Sequence, residues 1–442
     1  MAEAAAVKVF ATVVRSIKES DGKKYTVELR SPPSRPCALS RFVKLRIPAA
    51  RINWINSSFL IGTAIATCTV VPLYLWHYGV DAFQAALFLL FFIASGLSIT
   101  LGYHRLYSHM AFQARWPVRL LTLIFGATAF ENCALAWVSD HRRHHKHVDH
   151  DEDPYDISKG FFHAHIGWIL FKLDPEPPWD NVADLRRDPL VMWQHRFYVV
   201  IAVGFGFVLP ALLGYWHAGA AGALGGFLLA GVARVTAVQH MTFFINSLCH
   251  TVGNQPYSNK CSARDSWFMA IFTFGEGYHN YHHEFQHDYR NGVKWWQWDP
   301  TKWTIWTLEK IRLVQGLRRV PEDKILLAQL ADARRRLGEQ LACPRVGANA
   351  RLHALLQASD AKLHELGERW ALLKAQYAEK AGAMKAQYAE KAGAMKAEYA
   401  EKKAEYTERA VHQIDEARAA LAEMRRELRE ALHLLEHAAA AA

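Results

Sequence analysis

Apolar residues run almost unbroken through positions 54–78, 82–103, 197–216 and 220–246. A hydrocarbon core of about 30 Å takes roughly 20 apolar residues of helix, so the pattern predicts four membrane spans. They form two hairpins, with short connections around Gly79 and Gly219, and Pro72 and Pro210 lie near span ends, where a lost backbone bond costs least. Residues 120–137 and 161–171 are apolar but short or flanked by polar clusters, which suits interfacial or docked helices. The expected fold is an all-α integral membrane protein: four transmembrane helices in two hairpins, a helical cap, and a long helical C-terminal extension.

Charge gives the pattern a direction. Residues 52–104 contain one acid, Asp81, and neither they nor residues 197–233 contain Lys or Arg. Arg35, Arg41, Lys44, Arg46 and Arg51 precede the first span, and ten Lys and Arg residues, from Arg105 to Arg187, dominate the loop between the hairpins. Positive flanks stay inside, so that loop and both termini are expected on the cytoplasmic side. The net charge of +10 therefore goes with a membrane surface or a phosphorylated substrate, and no nucleic-acid module is present. The six cysteines form no CxxC pair, which fits a reducing compartment, and no cleaved leader is expected before the first apolar run.

The ends read differently. Residues 7–18 and 23–29 alternate around Ser20-Asp21-Gly22, as a small hairpin would. After Pro321 the chain turns to Ala, Glu, Lys and Arg, with AQYAEKAGAMK at Ala375 and again at Ala386. That period favours a long, mainly solvated helix through which the chain can self-associate. Three regions are expected: 1–50, 51–320 and 321–442.

Seventeen of the 23 histidines fall between His104 and His287. His104 and His109 form HxxxxH; His141, His144 and His145 form HxxHH; His279, His282 and His283 form a second HxxHH; His250 follows Asn246 by one turn. On a helix, positions i, i+3 and i+4 share a face, so each HxxHH is expected to point three imidazoles one way, and the topology gathers all groups at one membrane surface. Imidazole suits iron, zinc, copper and nickel, and nine ligands exceed what one ion uses, so two ions are the economical number. His147, His150, His163, His165 and His287 read as surface or supporting residues.

The strings GYHRLYSH, DHRRHHKH and GEGYHNYHH, with NSLCH at 246–250, resemble the three histidine boxes of membrane fatty acyl desaturases of the stearoyl-CoA, delta-9 type, over about residues 51–319. The resemblance implies two iron ions held by His104, His109, His141, His144, His145, His250, His279, His282 and His283, with Asn246 acting through a water. It also implies O2 as co-substrate, a long-chain acyl-CoA or other acyl thioester or lipid as substrate, and a separate electron donor of cytochrome b5 type or a ferredoxin with its reductase. Some relatives replace the first His of the third box by Gln; here it is His279. The C-terminal repeats lie outside the resemblance.

The chemistry explains the demand for a metal. Unactivated methylenes offer no acidic proton, so acid–base groups have nothing to work on, and a redox metal with O2 is needed. Phe92, Gly96 and Thr100 step down the second span toward His104 and are candidates to line an acyl channel, with Trp137, one turn before His141, as a wall. Arg142, Arg143, Lys146, Lys172, Arg186 and Arg187 are placed to meet phosphates of a CoA thioester. Two alternatives remain open: a membrane di-iron fatty acid or alkane hydroxylase, and an intramembrane zinc protease built on His283-Glu284-Phe285-Gln286-His287, a literal HExxH.

Overall fold

The computed structural model describes residues 49–173 and 178–341, with scattered positions between 357 and 433. The expected N-terminal hairpin and most of the eleven-residue repeat lie outside the described residues. Among the described residues the protein is mostly helical, and three helices are long and apolar enough to cross a membrane: α1 (Trp54–Tyr78), α2 (Ala82–Ser108) and α5 (Pro189–His250). It is a membrane protein.

α1 starts at Asn53, whose side chain accepts the Asn56 amide, and ends at Gly79, whose φ of 70° is open to glycine. Asp81 then caps α2 by accepting the Gln84 amide at 2.8 Å. α2 runs five residues past the expected end, and its last stretch, Ser98–Ser108, is widened: the His109 amide donates to the His104 carbonyl five residues back, and Ser108 Oγ adds a side-chain bond to the Tyr103 carbonyl.

At 1.5 Å per residue, the 62 residues of α5 would reach roughly 90 Å if straight, about three times a hydrocarbon core. They do not run straight. Ala218 and Gly219 leave helical φ/ψ, Gly219 with φ 59°, and the chain doubles back. A Cβ on Gly222 would lie 2.1 Å from the Gly214 carbonyl oxygen, and one on Gly226 would lie 2.1 Å from that of Pro210, so the two arms meet backbone to backbone in antiparallel register. The second arm also packs on α1, where Tyr74 OH donates to the Ala221 carbonyl and Thr67 meets Thr236 at 3.0 Å.

The segment expected as one apolar helix at 120–137 is two. α3 (Trp116–Ala127) lies on α2, where Gly102 leaves room for Thr122 and Gly126 for Tyr103. Phe130 and Asn132, at φ 56° and 83°, then break the chain before α4 (Ala134–His147). This turn is held from three sides. Arg234, fully buried, donates to the carbonyls of Thr128, Gly206 and Ala230; Gln239 donates to that of Phe130; and Tyr198 OH accepts the Asn132 amide.

Beyond α5 come α6 (Trp267–Phe272), α7 (His279–Glu284) and α8 (Pro300–Lys310), then α9 (Glu322–Leu341). A two-stranded antiparallel ribbon pairs Gln113–Ala114 with Val314–Gln315, fastening the chain after α2 to the chain after α8. Arg425 and Arg429, among the scattered C-terminal positions, pair with Asp323 and Glu322 in the acidic first turn of α9.

Candidate metal centre

All nine histidines singled out by spacing converge, in two groups. One holds His104, His109, His141, His145 and His282; the other holds His144, His250, His279 and His283. Within each, every potential ligand atom lies within 4.8 Å of the others. The groups adjoin: the rings of His145 and His283 stack at 4.4 Å.

The helices distribute their histidines differently from expectation. From α4, His141 and His145 (i and i+4) enter the first group and His144 (i+3) the second. From α7 the split is reversed: His279 and His283 enter the second group and His282 the first. A single HxxHH therefore serves two sites, because i and i+4 lie on one side of the helix line and i+3 on the other. The HxxxxH of α2 is explained by the widened helix. Five residues of α-helix would leave His104 and His109 roughly 140° apart, whereas the five-residue hydrogen bonding at this end stacks them on one side.

The donor set fits a metal. In the first group His104 and His282 Nε2 are 3.0 Å apart, His109 and His141 2.9 Å, and His282 and His145 2.9 Å. In the second the Nε2 separations are 3.3 Å for His144 and His283, 3.1 Å for His279 and His250, and 3.0 Å for His283 and His279. Nitrogens held about 2.1 Å from one ion sit about 2.9–3.4 Å from each other. Burial, then mutual repulsion within the cluster, pushes His109, His141, His145, His279, His282 and His283 well below the usual imidazole range, so they are neutral and offer lone pairs.

Partners on the far ring nitrogen fix which lone pair is offered. Asp153 accepts His144 Nδ1 at 2.9 Å and the amides of Asp149 and Tyr155; burial works to raise this carboxyl, but His144 and those amides hold it below the carboxylate range. His104 Nδ1 lies 2.9 Å from Glu276 Oε2, and Arg105 braces Glu276 while also pairing with Asp299. His250 Nδ1 lies 2.7 Å from Ser262 Oγ, which donates to Asp149. This is how ligand histidines are oriented. Sequence reasoning passed over Asp153, Asp149 and Glu276, although Glu276 lies inside GEGYHNYHH and the other two just beyond the second box. Asn246 is half-buried on α5, four residues before His250.

Trp137 is where its spacing put it, stacked on His141 at 4.9 Å, and its Nε1 donates to Glu131. Phe92, Gly96 and Thr100 together line an apolar cleft against Val238, Met241 and Thr242, closed by Phe274, with about 20 Å³ free inside. A Cβ on Gly96 would come 2.2 Å from the Phe274 ring. The basic residues divide. Arg142 is committed to both Asp184 oxygens and to the carbonyls of Tyr107, Ser108 and Asn181; Arg143 pairs with Asp180. Lys146, Lys172, Arg186 and Arg187 are exposed.

The HExxH reading loses its geometry. α7 ends at Glu284, which pairs with Lys260, and Phe285 leaves helical φ/ψ. His287 Nδ1 instead takes the His109 carbonyl at 3.0 Å, so His283 and His287 do not share a helix face. His165 and His240 meet each other at 3.0 Å, apart from both groups.

Residues 81–310 match the fatty acid desaturase family model. The chain is 37% identical over 301 residues to acyl-CoA desaturase 1 of Saccharomyces cerevisiae, covering 66% of this chain and 56% of that protein. It is 42% identical over 243 residues to a probable acyl-CoA desaturase of Schizosaccharomyces pombe, covering 54% and 49%. Against the sn-1 stearoyl-lipid 9-desaturase of Anabaena variabilis it is 33% identical over 271 residues, 61% of this chain and 94% of the relative. The matches thus span about half the length of the two yeast proteins and nearly all of the cyanobacterial one.

Proposed function

Because this chain belongs to the fatty acid desaturase family, we propose that it is an oxygen-dependent desaturase that places a cis double bond, at delta-9, in a long-chain fatty acyl thioester. The observation that carries this reading is the pair of adjoining imidazole groups, one of which includes His104, four residues beyond the cleft residue Thr100 on the same helix. Two adjacent methylenes, O2, two electrons and two protons give an alkene and two waters. The nine histidines would hold two iron ions, with Asn246 acting through a water, and the bound iron would supply the redox chemistry that removing hydrogen from those methylenes requires.

The protein's own work is positioning. Asp153 and Ser262 keep the far nitrogens of His144 and His250 occupied and Glu276 stands 2.9 Å from that of His104, which favours an inward-facing Nε2 on each. Phe92, Gly96, Thr100 and Phe274 form a dry wall that orients an acyl chain, and Trp137 stacks on His141 and meets His104 and Tyr103 edge-on. The reversal at Ala218–Gly219 supports counting α5 as two spans and the protein as four, with both termini and the metal centre on the cytoplasmic side. Lys146, Lys172, Arg186 and Arg187 are the cations left to meet the phosphates of a CoA thioester. Electrons come from a separate cytochrome b5-type or ferredoxin carrier, and the C-terminal helix offers a self-association surface. Lipid analysis of an aerobic host expressing the protein tests the reading: new monounsaturated chains are expected, and an unchanged profile with full iron loading rejects it.

A further inference from the structure

Residues 294–310 read KWWQWDPTKWTIWTLEK, and desaturation makes no use of their indoles. One face of α8 is spent on α2: Thr301 Oγ1 meets Thr100 Oγ1 at 2.7 Å, Asp299 caps the helix at the Lys302 amide and pairs with Arg105, and Ile305 is fully buried. Trp303, Trp306 and Lys310, at steps of three and four, fall on the other face. Trp303 and Trp306 are 39% and 47% exposed, and in the turn before the helix Trp295 and Trp296 are 86% and 60% exposed. The cations at this surface lie over the rings, Lys294 5.5 Å from Trp296 and Lys310 5.2 Å from Trp306.

An exposed aromatic patch of this size needs a partner, and two observations identify it. First, α8 is fastened at Thr100, within the apolar helix Ala82–Ser108 and two turns from its inner end, so its outer face stands one helix diameter, about 10 Å, from a span and within about 12 Å of that end along the axis. Second, indoles with an apolar body and a polar N–H, accompanied by lysines, are the side chains that headgroup layers favour, and the lysine charge complements acidic lipid. We propose that the Trp295/Trp296/Trp303/Trp306 face, with Lys294 and Lys310, is an interfacial anchor seated in the acidic phospholipid headgroup layer of the bilayer that α1, α2 and α5 enter. Through Asp299 and Arg105 it sets the depth of the end of α2 that carries His104. It rests on the membrane reading and not on desaturation.

The test uses the full chain in phosphatidylcholine vesicles with and without phosphatidylserine, with Cys37, Cys68, Cys261 and Cys343 replaced by Ser. An environment-sensitive fluorophore is attached at Trp306→Cys or Trp295→Cys, with Val70→Cys on α1 and Lys324→Cys on α9 as references. Lipids brominated on the upper acyl chain are expected to quench the labels at 306 and 295 but not at 324, and Lys294→Glu with Lys310→Glu to reduce that quenching in phosphatidylserine vesicles. Quenching at 70 with none at 306 and 295, whether these stay open to aqueous iodide or are shielded by another copy, overturns the anchor while leaving the spans intact. Equal quenching with and without phosphatidylserine overturns the acidic-lipid assignment. No quenching at 70, 295 or 306 overturns anchor and spans together, and the host lipid profile reports on desaturation independently.

Discussion

The two faces of α4 interleave along one stretch, DHRRHHKH, and the structure treats them differently. The inward face presents His141, His144 and His145 to two imidazole groups, braced by Trp137 and Asp153. The outward face carries Arg142, Arg143 and Lys146, which by composition form one basic patch and by contact do not. Arg142 ties the end of α2 to the 181–184 turn, Arg143 is paired, and only Lys146 is exposed. A cation in the right loop is thus not yet a cation free for a ligand. Arg142 joins the first and second histidine boxes, and its charge is already spent.

The inward face should be the most sensitive to substitution. His144→Ala and His282→Ala, which sit in opposite groups, are each expected to abolish desaturation and to lower bound iron below the proposed two per chain, with insertion unchanged by alkaline extraction. Full turnover in either variant would remove that histidine from the ligand set. The far-nitrogen partners come next: Asp153→Ala or Glu276→Ala should weaken iron retention by about 10–100-fold, read by chelator competition. Loss with Asp153→Ala but not with Glu276→Ala would mean that the two groups are braced unequally.

How far the sequence carried this picture depends on which contacts are local. Eight of the nine histidines were legible because they fall in three boxes at fixed spacings, the first two in one inter-hairpin loop and the third after the last apolar stretch of spanning length; His250 was legible from its place one turn after Asn246. Their division between the groups was not, since i+3 and i+4 look equivalent until two helices cross. The widened end of α2 was equally hidden: nothing in SITLGYHRLYS marks five-residue hydrogen bonding except the HxxxxH spacing it satisfies. The reversal at Gly219 was legible because the short break between apolar runs holds a residue free to adopt positive φ. Asp153, Glu276 and the commitments of Arg142 depend on partners 9 to 172 positions away, which no local pattern encodes.

Arg142 offers the sharper contrast with its neighbour. Hydrogen bonds to a charged donor are worth about 1.5–3 kcal/mol each, so Arg142→Met should cost about that much stability or more and lower the thermal unfolding midpoint. Activity should fall through kcat and iron content, with KM little changed, because the clamp between Tyr107, Ser108 and Asp184 is lost and not a substrate contact. A rise in KM alone would return Arg142 to the phosphate site.

The smallest effects belong to the exposed cations. Lys146→Ala, or Arg186→Ala with Arg187→Ala, removes a charge that reaches its ligand through water, where a contact is worth about 1 kcal/mol or less. KM for a CoA thioester should rise roughly fivefold or less, with kcat and iron content unchanged, since 1.4 kcal/mol corresponds to about tenfold in affinity. The difference from the parent should shrink as ionic strength rises past about 0.15 M, where the screening length falls to about 8 Å. A lipid-linked acyl chain lacks the CoA phosphates, so the same variants should leave its KM unmoved. An equal rise for both substrates would place these residues in general surface attraction and leave the phosphates of the thioester without a defined partner on α4.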